Sequence, residues 1–161
     1  MRPVSWQDLP DLRALKADPQ VFAVMLGGVR GTAQVADELA EDIQFWGQHG
    51  VGMWAVRAAT QETFFGLVGI HARPDGRGMA LRFAMTQASQ GRGYASEAAG
   101  AALRFAHDQG NLKRVVAVAR ASNLASRQVL GGIGMIEEES WLRDGELTLL
   151  YASESKEALL F

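Results

Sequence analysis

The sequence predicts an α+β domain built on a mixed sheet, and three observations carry that prediction. The first third of the chain has apolar residues at helical spacing. Two β-rich runs then stand back to back around a short polar turn. Further on, one helix lies between two more strands, a crossover that makes those two strands parallel within an otherwise antiparallel pattern. With 161 residues, 48% of them hydrophobic, the chain is long enough to bury a core, and we expect one domain over residues 1–161.

Leu9, Leu12 and Leu15 recur at helical spacing, and Pro19 follows Asp18 at a helix start, ahead of the apolar Val21, Phe22, Val24, Met25 and Leu26. Gly27, Gly28 and Gly31 interrupt this segment. Thr32 is the expected N-cap of a helix from about Ala33 to Gln48, with Val35, Leu39, Ile43 and Trp46 as its buried stripe and its acidic residues outside that stripe. Strands are expected over Val51 to Arg57 and Thr63 to His71, joined by Ala59-Thr60-Gln61-Glu62, and a third from about Met79 to Thr86. A polar, glycine-bearing loop, Gln87 to Gly93, leads into a helix from about Tyr94 to Asp108, ended by Gly110. A strand from Lys113 to Arg120, a short helix from Ser122 to Gly131, and a closing strand pair around Met135-Ile136 and Glu146 to Tyr151 complete the order.

Composition excludes several functions. The chain has no cysteine, and His49, His71 and His107 are scattered, so no metal is expected. Sixteen Lys and Arg against eighteen Asp and Glu give a net charge of -2, a poor match to nucleic acid, whose binding needs a basic surface. The N-terminus has no signal-peptide apolar region, and no run approaches the roughly 20 apolar residues that span a bilayer. The expectation is a cytoplasmic protein with no membrane partner.

The most informative stretch is Phe83 to Ala98, where a strand feeds the loop Gln90-Gly91-Arg92-Gly93 and the loop opens into a helix whose early face is Ala95, Ala98, Ala99 and Ala102. Glycines allow a tight turn and close approach of a ligand, while free N–H groups and the helix dipole favour an anion. The same features describe an ordinary strand-to-helix turn. A dinucleotide fingerprint would need glycine where Ser96 stands, and a P-loop needs a Gly-Lys pair that the chain lacks, so a nucleotide-binding domain rests on Gly91-x-Gly93 alone.

The pattern Gln90-x-x-Gly93-x-Ala95 resembles the Gln/Arg-x-x-Gly-x-Gly/Ala acyl-CoA signature of the GCN5-related N-acetyltransferase (GNAT) superfamily. The run from Gly91 to Ala98 is similar to the form found in the branch of the ribosomal-protein N-terminal acetyltransferases. A second stretch, Val118 to Leu130 followed by Gly134-Met135, resembles that branch's second signature, in which Asn-x-x-Ser opens a short helix after a strand. Read by itself, Ser122 or Asn123 is a good helix N-cap. Trp6-Gln7-Asp8-Leu9, Asp18-Pro19 and Trp54-Ala55-Val56 also sit where the branch has similar features, so the resemblance covers nearly the whole chain.

The resemblance implies a central mixed, mostly antiparallel sheet with a splayed parallel strand pair, flanked by helices, and acetyl-CoA as cosubstrate. The backbones of Phe83, Ala84 and Met85 would pair with the pantetheine arm. The N–H groups of Gly91, Arg92, Gly93, Tyr94, Ala95 and Ser96 would hold the diphosphate, with Arg92 an added charged donor. Asn123 would bond the pantetheine, and Ser126 is a further contact. Gln90 and Glu97 need do no more than order the loop and first helical turn.

The implied reaction is direct acetyl transfer to an amine, a protein N-terminus or a small molecule, and it needs an unprotonated nucleophile and an oxyanion donor. The backbone N–H of Met85 is the named donor. The acid and base positions of many relatives align here with Ala80, Val118 and Leu130, none of which can do that work. His71, at a strand end, has the intrinsic pKa of a general base, or else faces solvent. Tyr94 and Tyr151 are other hydroxyl donors, while His49 and His107 read as surface or helix-end residues. Trp6, Trp46, Trp54 and Trp141 either line the acceptor site or pack in the core, and Arg82 either recognises an acidic acceptor or turns away to pair with a carboxylate. The alternative function is a CoA-binding sensor or partner subunit with little activity. A homodimer is open, since no motif specifies an interface.

Overall fold

The computed structural model describes residues 1–157 and 159. The chain runs β1 (Arg2–Pro3), α1 (Leu9–Ala17), α2 (Pro19–Phe22), α3 (Thr32–His49), β2 (Met53–Arg57), β3 (Phe64–Ala72), β4 (Met79–Met85), α4 (Tyr94–Asp108), β5 (Arg114–Arg120), α5 (Leu124–Gly132), β6 (Ile136–Arg143) and β7 (Glu146–Glu154). Short 3-10 turns precede α1 and follow β4. Among the described residues the strands form one sheet in the order β1-β2-β3-β4-β5-β7-β6, antiparallel except for the pair β4 and β5. No helix among them is long and apolar enough to cross a membrane.

Several expected elements stand within a residue or two of their places, and α4 keeps both its expected ends. Others differ for local reasons. Gly31, not Thr32, is the N-cap of α3, with extended backbone and Thr32 already helical. The strand expected from Val51 begins at Met53, because the Gly52 carbonyl is turned to accept the Ile70 N–H at 3.0 Å. Strand β6 is much longer than Met135-Ile136, since Asp144 and Gly145 adopt positive φ values of 52° and 78° and close a tight hairpin. Strand β1, only two residues long, had no periodicity by which to be read.

The two faces of the sheet are covered differently. Helix α4 lies on one, burying Ala98, Ala99, Ala102, Leu103 and Ala106 with Leu81, Met85, Val115 and Ala117. Its small side chains bring the helix axis close to β3 and β4. The N-terminal helices cover the other face from β2 to β4, with Leu12, Leu15, Phe22, Val35 and Leu39 against Met53, Ala55, Leu67 and Ala84. On β5 and β7 that second face carries only a small cluster around Val116, Leu150 and Ala152. The N-terminal helices therefore end beside a bare region of sheet, which leaves room for a cavity.

An ion-pair knot fastens the chain start. The fully buried Asp8 carboxylate accepts from Arg2 Nη2 and Arg57 Nη2, both at 2.8 Å, and from the Ser5 backbone N–H at 2.9 Å. Arg57 also reaches Asp11 at 2.8 Å, so β1, α1 and β2 are tied at one point.

Candidate active site

Strands β4 and β5 touch at a single register pair, Ala80 with Val116, and diverge beyond it. The direction of the exposed β4 backbone follows from its other edge. The Thr86 N–H bonds the Phe65 carbonyl at 2.8 Å, and the register places Ala84 against Leu67 and Arg82 against Gly69. Bonded pairs alternate in an antiparallel ladder, so Ala84 and Arg82 also face β3 while the N–H and C=O groups of Leu81, Phe83 and Met85 face the gap. Gln90 Nε2 donates to the Met85 carbonyl at 3.1 Å, as that geometry allows.

The gap opens at one end onto the loop before α4. Gly91 and Gly93 have φ values of 76° and 81°, which favour glycine, and a Cβ at either would meet nothing within 4 Å, so both border open space. The first backbone bond of the helix is from the Glu97 N–H to the Gly93 carbonyl. Among the described residues the N–H groups of residues 91–96 have no backbone partner, a continuous run of free donors at a 15-residue helix's positive end. The loop is held by buried Ser89, which hydrogen-bonds Thr86 Oγ1 and the Phe65 carbonyl, and by Tyr94, whose ring stacks on Phe65 with centroids 4.6 Å apart. Arg92 and Glu97 are exposed and have no side-chain partner among the described residues; Arg92 does not line the cleft.

A cleft of about 480 Å³ runs from this loop along β4 to the start of α5. Asn123 caps α5 by accepting the Ser126 N–H at 3.2 Å, and its amide nitrogen is left free to donate. A larger cavity, about 640 Å³, continues on the N-terminal-helix face of the sheet. Phe83, Ala84, Asn123 and Ser126 line both, so the two spaces meet beside the middle of β4.

The larger cavity holds charge. Asp42 is 8% exposed, and His71 Nε2 stands 3.7 Å from its Oδ1. Burial pushes the Asp42 carboxyl up to about 6, against the pull of Lys16, His71 and Arg82. His71 stacks on Phe45 at 4.4 Å, and its Nδ1 lies 3.0 Å from the Ala72 carbonyl; since a carbonyl only accepts, Nδ1 carries hydrogen and Nε2 keeps its lone pair in the neutral ring. Buried Lys16 bonds Glu38 at 2.6 Å and Arg30 bonds it at 3.0 Å. Burial alone would raise the Glu38 pKa, but these two cations hold it below the ordinary value. Arg82 opens onto the cavity from β4 with no hydrogen bond or ion pair among the described residues.

Several expectations are corrected here. The acidic residues of α3 do not all lie outside its stripe, because Asp42 is buried with Val35, Leu39 and Phe45, while Ile43 and Trp46 are only partly buried. Asp42 stands three residues after Leu39, and a carboxylate at that spacing was the signal for it. None of the four tryptophans lines the larger cavity. Trp46 and Trp54 pack edge to face with Phe105, Trp141 lies under Arg77, and Trp6 is exposed. His71 does not simply face solvent, and Arg82 does not turn away to a carboxylate. Tyr151 is buried with its hydroxyl 3.3 Å from Arg127 Nε, and both His107 nitrogens are engaged, by the Leu112 carbonyl and Ser153 Oγ. Ala80, Val118 and Leu130 do line the cavity, as apolar wall.

Known proteins share this architecture. Residues 1–136 match the family described as an acetyltransferase (GNAT) domain. No curated protein matches the chain. Among solved structures, an acetyltransferase from Agrobacterium tumefaciens str. C58 is 26% identical with a TM-score of 0.84, over 96% of this chain and 89% of that one. An acetyl transferase from Salmonella typhimurium that modifies the N-terminal serine of ribosomal protein L7/L12 is 18% identical with a TM-score of 0.79, over 95% and 92%. Spermidine N-acetyltransferase from Vibrio cholerae, solved with CoA and spermine, is 16% identical with a TM-score of 0.79, over 98% and 96%. The last two share the fold. The chain belongs to the GNAT acetyltransferase family and is an acetyl-CoA-dependent N-acetyltransferase.

Proposed function

We propose that the chain is a single cytoplasmic domain, residues 1–161, that binds acetyl-CoA along the gap between β4 and β5 and passes its acetyl group to a primary amine held in the larger cavity. One observation carries the reading: the space beside the free N–H groups of residues 91–96 is continuous along β4 with a charged cavity, and the two meet at Phe83, Ala84, Asn123 and Ser126. A diphosphate suits the loop, since six unpaired donors and a helix N-terminus meet an anion there. Pantetheine amides suit the gap-facing groups of β4 and the Asn123 amide.

The oxyanion donor named from the resemblance, the Met85 N–H, belongs to the gap-facing row. The Phe83 N–H belongs to it too and stands at the meeting point, so it is the better placed of the two. An ammonium must lose a proton before it attacks, and the lone pair of His71 Nε2 can take it, with Asp42 stabilising the imidazolium that forms. Phe83 lies three positions along β4 from Ala80, which stands opposite His71, so the proton crosses about 10 Å through water in the cavity. The amine nitrogen then forms the C–N bond as the C–S bond breaks. The electron pair leaves on sulfur, and the second proton shed by nitrogen ends there by way of solvent.

The acid–base group missing at Ala80, Val118 and Leu130 was what favoured a sensor with little activity, and the Asp42–His71 pair supplies one. A thiol-release assay over a panel of amines tests the reading. Amine-dependent release is expected, with kcat/KM rising through an apparent pKa near 6. His71→Ala should lower kcat by roughly 100-fold or more. A rate unchanged by His71→Ala from pH 6 to 9 would remove the pair as base, and no release with any amine would overturn the transfer itself.

A further inference from the structure

We infer that the amine accepted here is a small molecule carrying a carboxylate close to its amino group, and that Arg82 selects it. The inference rests on the acetyl-transfer reading and names the substrate class of the same site. Charge accounting around the cavity points to Arg82. Lys16 and Arg30 share Glu38, Arg73 bonds Asp75 at 2.5 Å, Arg120 stands 3.0 Å from Glu146, and Arg143 lies within 4.0 Å of Asp144. Arg82 is left without a partner, although the chain as a whole is acidic.

Arg82 is solvent-exposed, and it opens on the cavity. The protein around it lowers its pKa, with Asp42 opposing, yet a guanidinium remains charged and its planar fork matches a carboxylate. Its place on β4 fixes where that carboxylate would lie. Arg82 precedes Phe83, the residue at the meeting of the two spaces, and it shares a sheet face with Ala80 and Ala84 on the side of the N-terminal helices. Gly69 stands opposite it on β3, so no side chain there fills the space beside the guanidinium. Asp42 is close enough to Arg82 for each to shift the other's pKa, but no ion pair joins them.

The arrangement sets opposite charges around one space: Arg82 for a carboxylate, and Asp42 as negative charge that favours a cationic acceptor. An amino acid presents its two groups a few bonds apart, so a carboxylate held on Arg82 brings the nitrogen toward the neighbouring Phe83. A polyamine presents only cations to a cavity in which Lys16, Arg30 and Arg82 meet Glu38 and Asp42. The two solved relatives known for a ribosomal N-terminus and for spermidine share the fold, but neither supplies this argument.

The test compares kcat/KM for free α- and ω-amino acids, their carboxamides, spermidine, and acidic N-terminal peptides, in the wild type, Arg82→Gln and Arg82→Lys, with acetyl-CoA binding followed by calorimetry. The expected result is a preference for amino acids over their carboxamides that falls roughly 10- to 100-fold in Arg82→Gln, with much of it kept in Arg82→Lys. Spermidine or carboxamides turning over as well as the acids would overturn the inference and leave acetyl transfer standing. A preference unchanged by Arg82→Gln would remove Arg82, and turnover confined to acidic peptides would overturn the small-molecule assignment. Acetyl-CoA binding with no turnover of any amine would bring down the transfer reading and this inference together.

Discussion

Asp42 is the residue on which stability and chemistry pull in opposite directions. Its carboxyl rises from an ordinary 3.8 to about 6, with burial the chief cause. The folded protein therefore holds that proton more tightly than the unfolded chain. The linkage sign follows: the penalty is absent below pH 4, grows as pH rises to 6, and is fully present above, at about 3 kcal/mol. Asp42→Asn should thus raise the unfolding free energy at pH 8 by about 1–3 kcal/mol, change it little at pH 4, and lower activity. Denaturant unfolding at the two pH values checks this. A loss of stability at pH 8 would mean that the attraction of Lys16, His71 and Arg82 outweighs the burial cost. His71 was singled out as a candidate base from its place at a strand end. Its partner was not, because Asp42 was counted with the solvated acids of α3 and only the approach of β3 to that helix buries it.

At the scale of elements, the glycines of the loop and the alanines of α4 belong together. Gly91 and Gly93 turn the chain so that residues 91–96 keep their donors free, and the alanine face seats the helix low enough to place its N-terminus at the end of β4. Both features stand in the sequence, and so does the approximate extent of α4. What fastens the chain start was not legible. The Asp8 knot joins groups up to 49 positions apart, and no local spacing announces a bond between Asp8 and Arg57. Asp8→Ala would leave Arg2 without its carboxylate and the partly buried Arg57 with Asp11 alone. We expect it to lower the unfolding free energy by about 3 kcal/mol, since removing one member of a buried pair strands the other. A change within 0.5 kcal/mol, the ordinary range for surface substitutions, would show the knot to be neutral.

For the whole molecule, the arrangement of layers makes the site. Helices on one face stop short of β5 and β7, α4 covers the other face, and the parallel strands part after one register pair, so the cleft beside the loop and the charged cavity meet through the sheet. The parallel pairing followed from the helical crossover, and the tight turn before α4 from its glycines. The charged cavity is lined by Lys16, Asp42, His71 and Arg82, drawn from four different elements. Each looked ordinary in its own segment. Tryptophans drew attention because they are large and apolar, and the same properties buried or stacked most of them elsewhere. The central claim is that the loop of residues 91–96 receives acetyl-CoA, and calorimetric titration of the wild type and Gly93→Trp with acetyl-CoA tests it most directly. The account predicts binding near one equivalent in the wild type and none detectable in the variant, with circular dichroism nearly unchanged. Equal affinity in the two proteins would contradict it.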